Sequence, residues 1–398
     1  MVSLITKIGF SAVAVVAVLF QVFLKEPVWL FLGVGRVVQP LADFPYTCRK
    51  IIDPHMEACE DMWLSQSTRQ MFLTCSDPLA RKHWMPSVGH LNVTGRSQRD
   101  SVVVLDIDKP VDNSFQLRTL KTPGFSGTLG DGLINVVGFT GMESPSGDID
   151  LMVINLQPSV DGENNKLLNQ LVHGANSTIE HFTTGADATE LKHVRTFADK
   201  GISTPNRVAV LDDKTFYITN DHGPHKVGWR HELSLLLGYG NVNFCQPDEP
   251  CKEVASNLKF PNGLARKDDI IYVPDSMAGT LYIYRILPNK DLEKIDEIKL
   301  GYSIDNASID ENGDIWIAAF PAAADIFKAY EDPYNARNAA AVLRVRKVES
   351  KYVADKVVED AHGEILPATT TVVHDAKTGR LFLSSVISPH IAVCEPKV

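Results

Sequence analysis

The stretch "FPNGLARKDDIIYVPDS", residues 260–276, decides the fold. Asn262-Gly263 is the strongest short hairpin signal. A second turn signal, Lys267-Asp268-Asp269, follows so soon that two hairpin turns would leave only "LAR" between them. The Asp-rich turn is therefore read as the hairpin, and Asn262 as the start of a short inner strand. The turn and strand "KDDIIYVPD" (267–275) also recur along the chain. Counterparts are "STRQMFLTC" (67–75), "SGDIDLMVIN" (146–155), "DDKTFYITN" (212–220), "NGDIWIAA" (312–319) and "TGRLFLSS" (378–385). Six alternating strands at blade-sized intervals, with scarce helical periodicity after residue 48, predict an all-β, six-bladed β-propeller.

Composition fits such a body. The 398 residues are 44% hydrophobic and 22% charged, enough for a large core. A net charge of −10 excludes nucleic acid as a partner, because phosphate binding needs a basic face. The start of the chain differs. Lys7 is followed by "IGFSAVAVVAVLFQVFL" (8–24) and then Lys25, with no small-residue cleavage site beyond it. Residues 1–30 are read as a signal-anchor or transmembrane helix, 31–47 as a linker and 48–398 as the propeller. A cleaved signal and a buried helix are the alternatives. The first two place the body in the secretory pathway, as a membrane-anchored luminal or extracellular protein or as a secreted one.

Six cysteines suit disulfides in that compartment. Cys48–Cys394 would close the ring and Cys245–Cys251 would clip a short loop, leaving Cys59–Cys75 as the third pair. Asn92-Val93-Thr94 and Asn176-Ser177-Thr178 are candidate glycosylation sequons.

The residues ahead of the repeated strands carry the chemistry. Glu60, Asn206, Asn262, and Asp305 with Asn306 each precede a strand's aromatic centre by about ten to twelve positions. Any one of these Asn residues alone reads as a turn cap. Repeated in four blades, where inner strands converge on one axis, they read as an oxygen cage. Oxygen ligands without His or Cys select Ca²⁺ over transition metals.

From Cys48 onward the chain resembles the serum paraoxonase/arylesterase family of calcium-dependent six-bladed propellers. The likeness is carried by "PNRVAVLDDKTFYITNDH", "FPNGLA", "SIDNASIDENGDIWIA" and Cys394. It implies a catalytic calcium on Glu60, Asn206, Asn262, Asp305 and Asn306, with hydrolysis of lactones and aryl esters. It also implies a pocket that includes Asp221, His222, Phe260 and Phe327.

Two departures qualify this likeness. The family's structural calcium uses an acidic pair, here Asp61 and Arg207; a guanidinium cannot ligate a metal, which argues against a second calcium. The family's His dyad aligns with Val137 and Leu156, and no His occurs between His90 and His173. The base is then expected to be His222, or a ligand carboxylate of Asp305 or Glu60; the direction of His225 stays open. The expected reaction is attack of water on a hydrophobic ester or lactone whose carbonyl is polarised by Ca²⁺. Alternatives are a propeller enzyme of another reaction type, strictosidine-synthase-like or gluconolactonase-like, and a non-catalytic calcium-stabilised binding propeller.

Overall fold

A computed structural model describes residues 13–18, 20–144 and 146–397. Six four-stranded antiparallel sheets form the blades of a propeller. Each predicted repeat supplies the second strand of one blade: Gln70–Cys75, Ile149–Asn155, Phe216–Asn220, Ile270–Asp275, Ile315–Phe320 and Arg380–Ser384. These strands lie between neighbouring blades and are buried along nearly their whole length. Outer strands such as Lys192–Phe197 and Leu292–Lys299 face solvent and carry charge. The innermost strand of the fourth blade is only Ala265–Lys267, turning at Asp268 in the left-handed region (φ 54°) into Ile270–Asp275. The second turn signal is thus the hairpin.

The ring closes with the first strand of the chain. Tyr46–Ile51 is the outermost strand of the sixth blade, paired with Ile391–Pro396 so that Cys48 faces Cys394. The Cys48–Cys394 bond spans 346 residues, and Cys59–Cys75 and Cys245–Cys251 are also formed. The propeller therefore begins at Tyr46, two residues before the expected boundary.

Of the expected anchor, residues 1–12 and 19 lie outside the described residues. The remainder departs from a single straight helix. Among the described residues no one helix is long and apolar enough to cross a membrane; Val13–Val22 and Lys25–Leu32 together meet that length but are bent by 61°. Pro27 explains the break, since its ring has no N–H and crowds the carbonyl four residues back, where the chain forms a π-helical turn (Phe20–Leu24). Lys25–Leu32 then lies on the propeller, burying Pro27 and Leu30, and Phe31 meets Phe327 edge-on at 6.3 Å. Two residues assigned to the linker, Phe31 and Leu32, are helical.

Candidate functional site

Every predicted cage residue stands at the same end of an inner strand. Glu60 immediately precedes Asp61–Ser65, Asn206 is second in Pro205–Val210, Asn262 leads into Ala265–Lys267, and Asp305 and Asn306 lie in Ser303–Ile309. In two blades the ladder is interrupted there: register shifts fall between Pro205 and Val208 and between Ile304 and Ala307. Such bulges re-aim side chains at channel mouths. The second blade has the same irregularity between Val136 and Phe139, so Val137 is its counterpart of Asn206 and contributes a methyl surface instead of an oxygen.

The Asn-Gly pair also has a steric reason. A Cβ on Gly263 would sit 1.8 Å from Asn306 Oδ1, so only glycine lets the fourth and fifth blades approach here.

The cage atoms are withdrawn from water and left without partners. Glu60 Oε2, Asn206 Oδ1, Asp305 Oδ1 and Asn306 Oδ1 are all buried with no hydrogen-bond donor. Buried oxygens in folded proteins are almost always bonded. Four together, from the inner strands of two blades and the loop leading into a third, mark a place for something that accepts lone pairs. Asn262 Oδ1 accepts only from Gly263 N at 2.9 Å, while Asn306 Nδ2 donates to Glu60 Oε1 at 3.2 Å. Burial pushes the Glu60 carboxyl up to about 7, opposed by Arg81 and reinforced by Asp61. Burial and then the charge of Glu60 drive Asp305 well above the usual carboxylate range. Two carboxylates and three amides, short of positive charge, suit a hard oxygen-seeking cation. No group of three or more His, Cys, Asp or Glu suited to a metal occurs among the described residues. The cage escapes that description because amides supply most of it.

Beyond the cage the axis is filled. Arg207 Nε lies 2.8 Å from Asp61 Oδ2, and its guanidinium also donates to the carbonyls of Phe139 and Ala307. Burial pushes the Asp61 carboxyl up while Arg207 and the N–H groups of Phe139 and Met62 pull it down. Burial outweighs them, so the Asp61 carboxyl lies above the usual carboxylate range while those donors and Thr371 converge on its oxygens. A side-chain cation therefore occupies the axis where a second metal was in question.

Glu60, Asn206, Asn262 and Asp305 open into a cavity of about 220 Å³ that also includes His222, Phe260, Phe327 and Tyr330. His222 is 3% exposed and its Nδ1 lies 2.7 Å from Asp221 Oδ1. In the neutral ring, a proton on Nδ1 directed at that carboxylate would leave the lone pair on Nε2. Phe260, itself in the left-handed region at φ 68°, meets the ring edge-on at 5.2 Å.

A second imidazole, absent from the sequence-based set, stacks on the first. His231 lies with its ring 3.8 Å from that of His222 and only 7° from parallel. It comes from the helix Trp229–Leu237, and its Nδ1 is 3.0 Å from His225 O. Burial and the neighbouring His222 lower its pKa. No spacing motif links residues 222 and 231, so the sequence held no signal for the pair. His225 itself turns away, with its ring against Tyr239 at 4.8 Å.

Val137 and Leu156 are buried at 3% and 4% and face a separate small space beside Asn206 and Asp221, not the main cavity. Phe327 stands at the rim, 47% exposed. The sequon residues Asn92 and Asn176 are exposed, and Asn92 Oδ1 accepts from Thr94 N and Oγ1.

Residues 150–392, more than half of the chain, match the Arylesterase family. Serum paraoxonase/arylesterase 1 of Rattus norvegicus is 28% identical over 59% of this chain and 65% of its own length. Serum paraoxonase/arylesterase 2 of the same species is 29% identical over 50% of this chain and 57% of its own. Mechanosensory abnormality protein 6 of Caenorhabditis elegans is 26% identical over 52% of each chain. The chain thus spans between about half and two thirds of the length of these relatives.

Proposed function

This chain belongs to the arylesterase family, and from that premise we propose that it is a calcium-dependent hydrolase of lactones or aryl esters. The observation that carries the reading is the group of four orphaned buried oxygens, of which those of Glu60, Asn206 and Asp305 belong to residues lining one apolar-walled cavity together with His222, itself paired with Asp221. Glu60, Asn206, Asn262, Asp305 and Asn306 would hold one Ca²⁺. Bound there, the ion supplies a positive centre that polarises an acyl carbonyl. The chain's own groups do the rest. Asp221 fixes the tautomer of His222, whose Nε2 takes a proton from water and returns it to the leaving oxygen. Phe260, Phe320 and Phe327 exclude bulk water and favour an apolar substrate. Arg207 stands in place of a second ion, so one calcium suffices.

The compartment follows the same reading. Three disulfides, with no free cysteine among the described residues, suit the secretory pathway. The N-terminal apolar segment is proposed as a retained anchor, with Asn92 and Asn176 as glycosylated positions. Carbonate extraction should then leave the protein in the membrane pellet; a soluble product starting beyond Trp29 would overturn the anchor.

A panel of lactones, aryl esters and phosphotriesters, with and without chelator, tests the activity. Chelator-sensitive turnover of a lactone or aryl ester is expected. The second reading, a non-catalytic calcium-stabilised propeller, is favoured by the methyl surfaces at Val137 and Leu156. Tight calcium binding with no turnover anywhere in the panel would establish it.

A further inference from the structure

The inner strand Ser303–Ile309 carries a hydroxyl to which the reaction so far gives no role. Ser303 and Asp305 both line the cavity, whereas Ile304 between them packs with Leu281 and Ile317 in the core. That is the alternation of a strand, and it puts Ser303 on the face of a cage ligand. Ser303 is 1% exposed, and its Oγ has no hydrogen-bond partner. Two other buried hydroxyls at this cavity are engaged: Ser276 Oγ donates to Ile304 O at 2.6 Å, and Thr370 Oγ1 to Glu60 O at 3.0 Å. The orphaned cage atoms are all oxygens that accept. Ser303 Oγ can donate. A hydroxyl taken from water and offered nothing in exchange is destabilising unless a ligand brings the missing acceptor.

We propose that Ser303 is a substrate-contacting residue whose Oγ–H donates to the acyl oxygen of a bound ester or lactone. The proposal rests on the hydrolase reading above. As water adds to the acyl carbon, the carbonyl π pair moves onto the acyl oxygen, where the hydroxyl meets it. The C–O bond to the leaving group then breaks, and the leaving oxygen takes the proton that His222 received from water. Ser303 keeps its own proton throughout, and no bond forms at Oγ. Its contribution is a fixed dipole aimed where negative charge develops.

The test is Ser303→Ala in the full chain, with Ser384→Ala as control. Ser384 Oγ is also buried and unpartnered but does not line the cavity. Ser303→Ala should lower kcat/KM for phenyl acetate or a δ-lactone by about 10²-fold, the size of a lost oxyanion donor. Its melting temperature in calcium and its calcium titration midpoint should match the parent protein, and Ser384→Ala should leave turnover unchanged. Calorimetric binding of δ-valerolactam, an unreactive isostere of a lactone, should weaken about tenfold in Ser303→Ala, the effect of one lost hydrogen bond. Unchanged turnover and unchanged lactam binding would overturn the contact. So would a weakened calcium titration, which would make Ser303 part of the cage. If the parent chain binds the lactam more tightly than Ser303→Ala yet hydrolyses nothing, the hydrolase reading fails and the contact stands.

Discussion

Arg207 and Asp61 form a buried ion pair on the propeller axis, 2.8 Å apart, each directly following a cage residue in sequence. The pair gives the channel floor its own fixed charge balance. Breaking it from one side leaves an uncompensated charge, and Arg207→Met should destabilise the fold by about 3–5 kcal/mol. The double variant Asp61→Asn with Arg207→Met should recover much of that loss. Urea unfolding of the three proteins checks both statements, and a single variant as stable as the parent would refute the pairing.

The cage makes a prediction about metal removal. Asp305→Asn keeps the shape but removes one of two crowded carboxylates, which in the cation-free protein are pushed up by burial, Asp305 further by the charge of Glu60 and Glu60 by that of Asp61. Chelated Asp305→Asn should melt at or above the chelated parent. Calcium at about 100 times its Kd should stabilise the parent by about 2.7 kcal/mol and the variant by far less. Thermal unfolding with and without EDTA gives all four values.

The imidazole pair separates base from support. His222→Gln should cut kcat by about 10²–10⁴ while the calcium-dependent rise in melting temperature persists. Asp221→Asn should also slow turnover, because the tautomer is no longer fixed. His231→Leu removes the stacked ring and should reduce kcat more than it raises KM; His231→Phe, which restores a flat ring, should recover part of the rate. Equal activity of His222→Gln and the parent would move the proton transfer to Glu60 or Asp305.

His390 makes one contribution to acid sensitivity: its pKa is lowered to about 4 by burial and by Lys50, with Ile365 O at 3.2 Å from Nε2 opposing. A folded value below the unfolded 6.5 means the unfolded chain binds more protons. Stability is therefore present above about pH 6.5 and lost as pH falls towards 4, by at most about 3 kcal/mol because the ring is only partly shielded. His390→Gln should flatten that slope in urea titrations at pH 7 and pH 4.5. An unchanged slope would assign the acid sensitivity to other groups.

What the sequence revealed follows from where each strand lies. Ile315–Phe320 and Phe216–Asn220 sit between blades and must be apolar on both faces, so they stand out as short hydrophobic runs after polar turns. Outer strands such as Glu249–Leu258 meet solvent and show no comparable run. The cage was legible because Asn206, Asn262 and Asp305 recur at equivalent blade positions. His231 and Ser303 were not, since one arrives from a helix between strands and the other is a serine among many. The positive charge at Arg207 is legible in the sequence, but its reach to the carbonyls of Phe139 and Ala307 depends on three blades meeting.

The pairing of Tyr46–Ile51 with Ile391–Pro396 ties the order of synthesis to the order of assembly. The first strand emerges early and then waits, its hydrogen-bonding edge bare, until 346 residues separate Cys48 from its partner. Blades one to five can each complete themselves from contiguous sequence, but the sixth needs both extremes of the propeller. A chain halted short of Ile391 thus lacks the native partner of Cys48 and keeps an open flank. The Cys48–Cys394 bond records that the ring has closed.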